Sequence, residues 1–319
     1  MDRPQGPASW RVAAWVCLWL LAGAVPAQAG LSVVVTIAQI GEPLREIVGD
    51  HGEVINLVGE GVDPHLYRPT RSDMARLVRA DAVFWNGLRL EAKMEEVLRD
   101  LAASRPSVAL AEELPPRRIR GAALPDPHIW MNPDLWREAL ARAVTVLSSL
   151  SPEAADEFSD RAERYFARLE ELEARVETMT RTVPARQRVL VTAHDAFGYF
   201  GDRFGFEVVG IQGLSTDSET GLRRIEQIVD MLVSRDIPAV FAETSVSERD
   251  VRALIEGAAA AGHRVRFGGR LFSDAMGAPH SPEGTYVGMI EHNARTIVGA
   301  LGGSVSRRHL AGGTVNGRF

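Results

Sequence analysis

The sequence predicts an α/β protein of two similar lobes, each with a parallel sheet flanked by helices, joined by one long rigid backbone helix. Two observations predict this fold. Short apolar runs alternate with amphipathic segments both before and after the middle of the chain, which is typical of parallel sheets covered by helices. Between these regions lies an apolar stripe with helical spacing. A chain of 319 residues, 45% of them apolar, is long enough for two domains.

The first 29 residues have the features of a secretory signal peptide. Arg3 and Arg11 form a basic start, residues 12–25 are an apolar run, and residues 27–29 (AQA) match a small-residue cleavage site. The run is shorter than the roughly 20 apolar residues that span a bilayer. We therefore expect export to the periplasm and cleavage after Ala29, which leaves roughly 290 residues.

Cysteine content and charge exclude several classes of function. Cys17 is the only cysteine and lies within the apolar run, so a lipid anchor on it is not expected, and the mature chain has no thiol. Any metal site must then use His, Asp or Glu. The formal net charge of −6 argues against nucleic acid as a partner, because phosphate binding needs clustered basic residues.

The first lobe is expected to cover residues 30–150. Its strands are predicted at 32–40, 53–58, 82–85 and 107–111, and its helices at 42–48, 72–79 and 91–103.

The linking helix is expected within residues 151–184. Ser151 is a suitable N-cap, Pro152 suits the first helical position, and Pro184 ends the helix. Apolar residues recur at steps of three and four from Phe158 to Val183, so one face should be buried along the whole length.

The second lobe is expected to cover residues 185–301, followed by a mobile tail at 302–319 that lacks any periodicity. Its strands are predicted at 188–192, 206–211, 238–242 and 264–267, and its helices at 196–204, 222–234, 249–260 and 285–300.

Three histidines have similar local settings. His65 and His128 each end an Asp-Pro-His tripeptide, and His194 closely follows a predicted strand. Proline stiffens each tripeptide, and loops after strands are where ligands bind in open α/β sheets. Asp274 also follows a predicted strand. Sequence spacing alone does not bring these loops together, so surface histidines and a capping aspartate remain the alternative.

Five stretches resemble the TroA-like zinc and manganese-binding proteins of ABC importers (solute-binding protein family 9). They are VDPHLYRPTRSD (62–73), DPHIWMNP (126–133), TAHDAFGYFGDRFG (192–205), GIQGLSTDSETG (210–221) and LFSDAMGAPHSPEGTYVGMIEHN (271–293). The likeness covers nearly the whole mature chain. It implies one metal site in the cleft between the lobes, with His65 and His128 from the first lobe and His194 and Asp274 from the second.

The resemblance also implies a function. The protein would be a monomer that captures a divalent metal as cargo and delivers it to the permease of an ABC importer in the inner membrane. Three imidazoles and one carboxylate favour Zn²⁺, whereas Mn²⁺ prefers more carboxylate and is the alternative. Since protons compete with metal for imidazole, we expect binding to weaken below about pH 6.

Two other classes of function compete with this interpretation. A periplasmic zinc hydrolase would keep three protein ligands and an open position for water, and the chain has no H-E-x-x-H or similar signature, so we expect no enzyme. A metal-binding adhesin is the second alternative. One tightly bound metal per chain without hydrolytic activity would distinguish a carrier from the hydrolase.

Overall fold

The computed structural model describes residues 30–121 and 124–305. The predicted signal peptide with its cleavage site, Cys17, and the predicted tail beyond residue 305 lie outside the described residues. In the part of the chain that is described, no helix is both long enough and apolar enough to cross a membrane.

The N-terminal half contains one four-stranded sheet with the strand order β2-β1-β3-β4. The strands are β1 (Leu31–Val35), β2 (Gly52–Asn56), β3 (Ala82–Trp85) and β4 (Ser107–Ala109). The helices are α1 (Ala38–Val48), α2 (Arg71–Arg79), α3 (Glu95–Leu101) and α4 (Pro133–Leu150). Because all three strand pairs are parallel, the strands end at a common edge.

The C-terminal half contains two parallel strand pairs, β5-β6 and β7-β8. The strands are β5 (Val189–Thr192), β6 (Glu207–Gly210), β7 (Ala239–Glu243) and β8 (Arg266–Leu271). The helices are α6 (Gly198–Phe204), α7 (Leu222–Ser234), α8 (Arg249–Ala260) and α9 (Tyr286–Ala300). Every strand pair among the described residues is parallel and helices intervene between strands, so the predicted α/β class is confirmed.

The long helix α5 (Ala155–Thr180) lies between the two halves of the chain. Its buried residues follow the predicted apolar stripe and include Phe158, Tyr165, Leu169 and Val176. It packs against α1 and α4, which precede it in the chain, and against α9, which follows it. The described residues from Leu31 to Val305 form one compact unit, and the division into two lobes with a linking helix stays a prediction.

Two details of this helix differ from the prediction. Residues Pro152–Ala154 form a short 3-10 helix, and α5 begins only after it. Ser151 does not cap the helix, since its hydroxyl donates to the carboxylate of Glu153 instead of accepting a backbone N–H. The Ser-Pro pair matches the sequence pattern of a helix start, but the chain forms a 3-10 turn there before α5 begins.

Two further differences concern the end of β1 and the helix α4. The strand predicted at 32–40 ends at Val35, and its second part belongs to α1. A continuous apolar run does not by itself distinguish a buried strand from a buried helix. Helix α4 was not predicted, although Asn132 caps it by accepting the N–H groups of Asp134 and Leu135, with Pro133 at the first position.

Candidate metal centre

Four residues from separate loops converge in the interior. His65, His128, His194 and Asp274 each offer one ligand atom, and these four atoms lie within 4.8 Å of one another. The Nε2 atom of His128 lies 3.4 Å from that of His65 and 3.3 Å from that of His194. All four residues are at most 4% exposed. The four candidates from the sequence are therefore neighbours in space.

Parallel strands explain why these loops meet. His194 lies two residues beyond β5, and Asp274 lies three residues beyond β8. His65 follows β2 in the loop before α2, and His128 immediately precedes a 3-10 helix (Ile129–Met131) that leads into α4. His194 and Asp274 lie just beyond the carboxyl ends of strands, where α/β sheets place ligand sites, whereas His65 and His128 lie in longer connections after β2 and β4.

The two Asp-Pro-His tripeptides form the same local turn. Asp63 Oδ1 accepts the backbone N–H of His65 at 2.8 Å, and Asp126 Oδ1 accepts that of His128 at 3.0 Å. An aspartate that accepts the N–H two residues ahead makes an Asx turn, and the intervening proline stiffens it. The repeat in the sequence is therefore a repeated backbone device that presents a histidine.

Two of the imidazoles also contact a buried carboxylate through Nδ1. Asp126 Oδ1 lies 2.8 Å from His128 Nδ1. Glu243, the last residue of β7, accepts the backbone N–H of His194 at 2.8 Å and places its other oxygen 2.6 Å from His194 Nδ1. These contacts turn both Nε2 atoms towards the cluster, as carboxylates behind metal-binding histidines do.

Sequence reasoning identified these supporting groups only in part. Asp63, Asp126 and Asp195 each lie within two residues of a candidate histidine, so the sequence allows each of them as a partner for an imidazole. Asp126 has that contact, whereas Asp63 binds the backbone N–H of its histidine, and the hydrogen bonds among the described residues join Asp195 to no imidazole. The sequence signal for Glu243 was its position at the end of a strand, next to the loop edge.

The carboxylate of Asp274 lies opposite the three imidazoles. Its oxygens are 3.2 Å from His194 Nε2, 3.4 Å from His128 Nε2 and 3.8 Å from His65 Nε2. Both oxygens are buried and accept no hydrogen bond from any described residue. A buried carboxylate without a donor is costly, and a cation held between it and the imidazoles would compensate that cost.

Charges within the cluster determine the pKa values of three members. Burial alone lowers the pKa of His128, but its contacts with Asp126 and Asp274 outweigh burial and raise that pKa to about 9. Burial also opposes the rise in the pKa of His194, which the charges of Glu243 and Asp274 produce. The pKa of Asp274 is held well below its usual range, against burial, by His194 and His128.

His65 behaves differently from the other two histidines. Burial dominates and lowers its pKa to about 4, although the charge of Asp274 acts in the opposite direction. In the metal-free cluster, His65 is thus neutral at pH 7 while His128 carries a proton. A metal ion that takes the central position must displace protons from the cluster.

Side chains from both halves of the chain fix the loops around the cluster. Trp130 Nε1 donates to the carbonyl of Ser273, directly before Asp274, at 3.0 Å. Tyr199 on α6 donates through its hydroxyl to the carbonyl of Asp126 at 2.9 Å. Both aromatic side chains therefore fix the main chain next to a candidate ligand.

A polar latch, the contact between Thr216 and Asp63, joins the loop of His65 to the C-terminal half. Thr216 donates its hydroxyl to Asp63 Oδ2, and Lys93 Nζ, in the connection between β3 and α3, lies 3.0 Å from Asp217 Oδ2. Both partners from the C-terminal half lie in the loop between β6 and α7. The loop that carries His65 is therefore held from the opposite half of the chain.

The other described histidines lie outside the cluster. His51 contacts Glu157 at 2.6 Å, His263 contacts the carbonyl of Ile237 at 2.9 Å, and His292 contacts that of Arg270 at 3.1 Å; His280 is exposed. His309 lies outside the described residues.

The fold and the cluster define an α/β protein with a buried set of three imidazoles and one carboxylate. Residues 33–300 match the model of the family described as zinc-uptake complex component A, periplasmic. The chain belongs to this family.

Relatives of the chain are named for different metals. It is 44% identical over 274 residues to the manganese-binding lipoprotein MntA of Bacillus subtilis (strain 168), covering 85% of this chain and 90% of that protein. It is 43% identical over 271 residues to the zinc-binding protein TroA of Treponema pallidum (strain Nichols), covering 84% and 88%. The structure of the periplasmic zinc binding protein TroA from Treponema pallidum matches with a TM-score of 0.83 at 42% identity, covering 86% and 99%.

Proposed function

We propose that this chain is a periplasmic carrier that binds one divalent transition metal ion as cargo and delivers it to an ABC importer in the inner membrane. The metal would be held by His65, His128, His194 and Asp274. The observation that carries the proposal is the convergence of these four ligand atoms within 4.8 Å in the interior.

The separations of the ligand atoms support a zinc-sized site. Zinc bonds of about 2.0–2.1 Å in a tetrahedron put the ligand atoms about 3.3 Å apart. His128 Nε2 lies 3.4 Å from His65 Nε2 and 3.3 Å from His194 Nε2. The Asp274 carboxylate lies 3.4 Å from His128 Nε2 through Oδ1, and through Oδ2 it lies 3.2 Å from His194 Nε2 and 3.8 Å from His65 Nε2. A small inward movement of His65 and a turn of the Asp274 carboxylate would complete a tetrahedron.

The ligand chemistry favours zinc and tolerates manganese. Three neutral imidazoles with one carboxylate suit Zn²⁺, and Mn²⁺ binds such a set more weakly. The similarity to one relative named for manganese and another named for zinc supports acceptance of both ions.

Delivery to an importer follows from the family, whose description is a periplasmic component of an uptake complex. We further propose that the mature carrier is a monomer released by cleavage of residues 1–29. An enzyme is not supported, because four ligand atoms converge here whereas catalytic zinc sites keep a position open for water.

The first test is metal stoichiometry. Protein purified without added metal, then titrated with zinc at pH 7.5, should bind one ion per chain in a calorimeter. His194→Ala should weaken binding by about 100–1,000-fold, whereas His292→Ala, at a histidine outside the cluster, should bind as the wild type does. Equal binding by wild type and His194→Ala would refute the proposed site, and zinc-dependent hydrolysis of ester or peptide substrates would favour the hydrolase.

A further inference from the structure

Glu243 contacts one histidine, His194, at two points. The glutamate is 2% exposed and ends strand β7. One oxygen accepts the backbone N–H of His194 at 2.8 Å, and the other lies 2.6 Å from Nδ1 of the same residue. With the main chain and the ring both held, Nε2 of His194 is directed at the cluster, 3.2 Å from Asp274 Oδ2.

The negative charge of Glu243 has few oppositely charged neighbours. Ion pairs of the described residues join Glu243 to His194 alone. Asp126, the corresponding carboxylate behind His128, also faces the guanidinium of Arg120 at 3.4 Å. The negative charge behind His194 is therefore less compensated than the one behind His128.

A carboxylate behind an imidazole changes what that imidazole offers a metal. A carboxylate close to Nδ1 favours the tautomer that carries its proton there and increases the electron density at Nε2. Manganese is a harder ion than zinc and depends more on ligand charge, whereas zinc binds neutral imidazole well. A charged group one step behind His194 therefore stabilises Mn²⁺ more than Zn²⁺.

We infer that Glu243 is a positioning residue that determines metal specificity: its charge behind His194 lets a site with three imidazoles hold manganese as well as zinc. This inference rests on the proposed metal-binding function. Glu243 does not itself need to touch the ion.

The test measures zinc and manganese dissociation constants at one fixed pH by competition with chelators. In Glu243→Gln, the manganese dissociation constant should rise by about 10–100-fold. The zinc dissociation constant should rise by a factor about ten times smaller, so the ratio of the two constants shifts about tenfold. The matched control is Glu91→Gln. Glu91 is a buried glutamate that accepts the hydroxyl of Thr36 and the N–H of Asn86, and it contacts no imidazole. This control should keep the wild-type ratio.

A second variant separates charge from placement. Glu243→Asp keeps the charge but withdraws it from the ring by one methylene, so the metal ratio should stay within about threefold of wild type. Its visible spectrum with Co²⁺ should change, because the spectrum reports ligand geometry. A ratio that shifts as far in Glu243→Asp as in Glu243→Gln would overturn the inference, as would an unchanged ratio in Glu243→Gln.

The outcomes separate this inference from the proposed function. The expected weakening of binding in His194→Ala together with a wild-type metal ratio in Glu243→Gln would leave the site and remove the specificity role. Normal binding in His194→Ala would remove both. Melting of each metal-free variant, followed by circular dichroism, shows whether it is folded. If Glu243→Gln is unfolded, the ratio measured on Glu243→Asp decides: within about threefold of wild type supports the role of charge, and a shift of about tenfold overturns it.

Discussion

The two Asp-Pro-His turns share a backbone and differ in their surroundings. In both turns the aspartate accepts the N–H of the histidine two residues ahead. Asp126 additionally contacts the ring of its own histidine, whereas the free oxygen of Asp63 accepts the hydroxyl of Thr216. Burial lowers the pKa of both rings: the contacts with Asp126 and Asp274 outweigh it and raise the pKa of His128 to about 9, whereas burial dominates at His65 and lowers its pKa to about 4. The tripeptide determines the turn, and tertiary contacts determine its electrostatics.

Replacing the histidine of either turn with alanine should have the largest effect on zinc binding, and it directly tests the difference between the two turns. Zinc sites bind with roughly 10–16 kcal/mol over four ligands, so losing one ligand should weaken binding by about 100–1,000-fold. His128→Ala should be the worse of the two, because it also leaves buried Asp126 without its ring partner. Zinc competition titrations on His128→Ala and His65→Ala measure the difference, and a more severe loss in His65→Ala would contradict it.

The pH dependence should follow His128 and not His65. In the metal-free protein His128 is protonated below about pH 9, and zinc binds the neutral ring, so affinity falls as pH decreases through the neutral range. Displacement of the His128 proton alone predicts about a 100-fold loss between pH 8 and pH 6, and the raised pKa of His194 adds to this loss. The onset therefore lies above the pH 6 expected from an ordinary histidine. A flat affinity between pH 8 and pH 6, measured by calorimetry, would refute this expectation.

The supporting aspartates should differ in the same direction as the histidines. Asp126→Asn should weaken zinc binding by about 10–100-fold, because it removes the negative charge behind a ligand ring. Asp63→Asn should cost less than about tenfold, since Asp63 contacts only the main chain of its histidine. Equal losses in the two variants, by competition titration, would show that the two turns are equivalent in function.

The smallest effect is expected from the latch on the His65 turn. Thr216→Val removes the hydroxyl donated to Asp63 and keeps the shape of the side chain. Loss of about 1 kcal/mol from the closed state should speed zinc release about fivefold, measured by stopped-flow mixing with a chelator. Thr178→Val is the control, because that hydroxyl bonds the carbonyl of Ala174 on the exposed side of α5. No acceleration in Thr216→Val would show that the latch does not limit release.

Part of the site could be predicted from local features of the sequence. The repeated Asp-Pro-His and the positions of His194 and Asp274 after predicted strands made these residues candidates, and the resemblance to the TroA-like family joined them into one site. Their meeting point depends on strand order and packing, which no single segment determines.

The supporting shell was harder to predict for the same reason. Glu243 precedes the loop of Asp274 by about thirty residues and follows His194 by 49, so only the fold shows that it contacts His194. The pKa difference between His65 and His128 is also tertiary in origin. The end of β1 was predicted too late, because the apolar run continues beyond the strand. Helix α4 was not predicted, although Asn132 is a suitable N-cap for it.

The burial of the cluster has a kinetic consequence. All four candidate ligands are at most 4% exposed, so no chelator or partner protein can reach a bound ion while the loops stay in place. Loss of metal must then begin with a unimolecular opening step of the protein. With increasing chelator, the observed dissociation rate should rise to a plateau equal to the opening rate, and chelators of different strength should share that plateau.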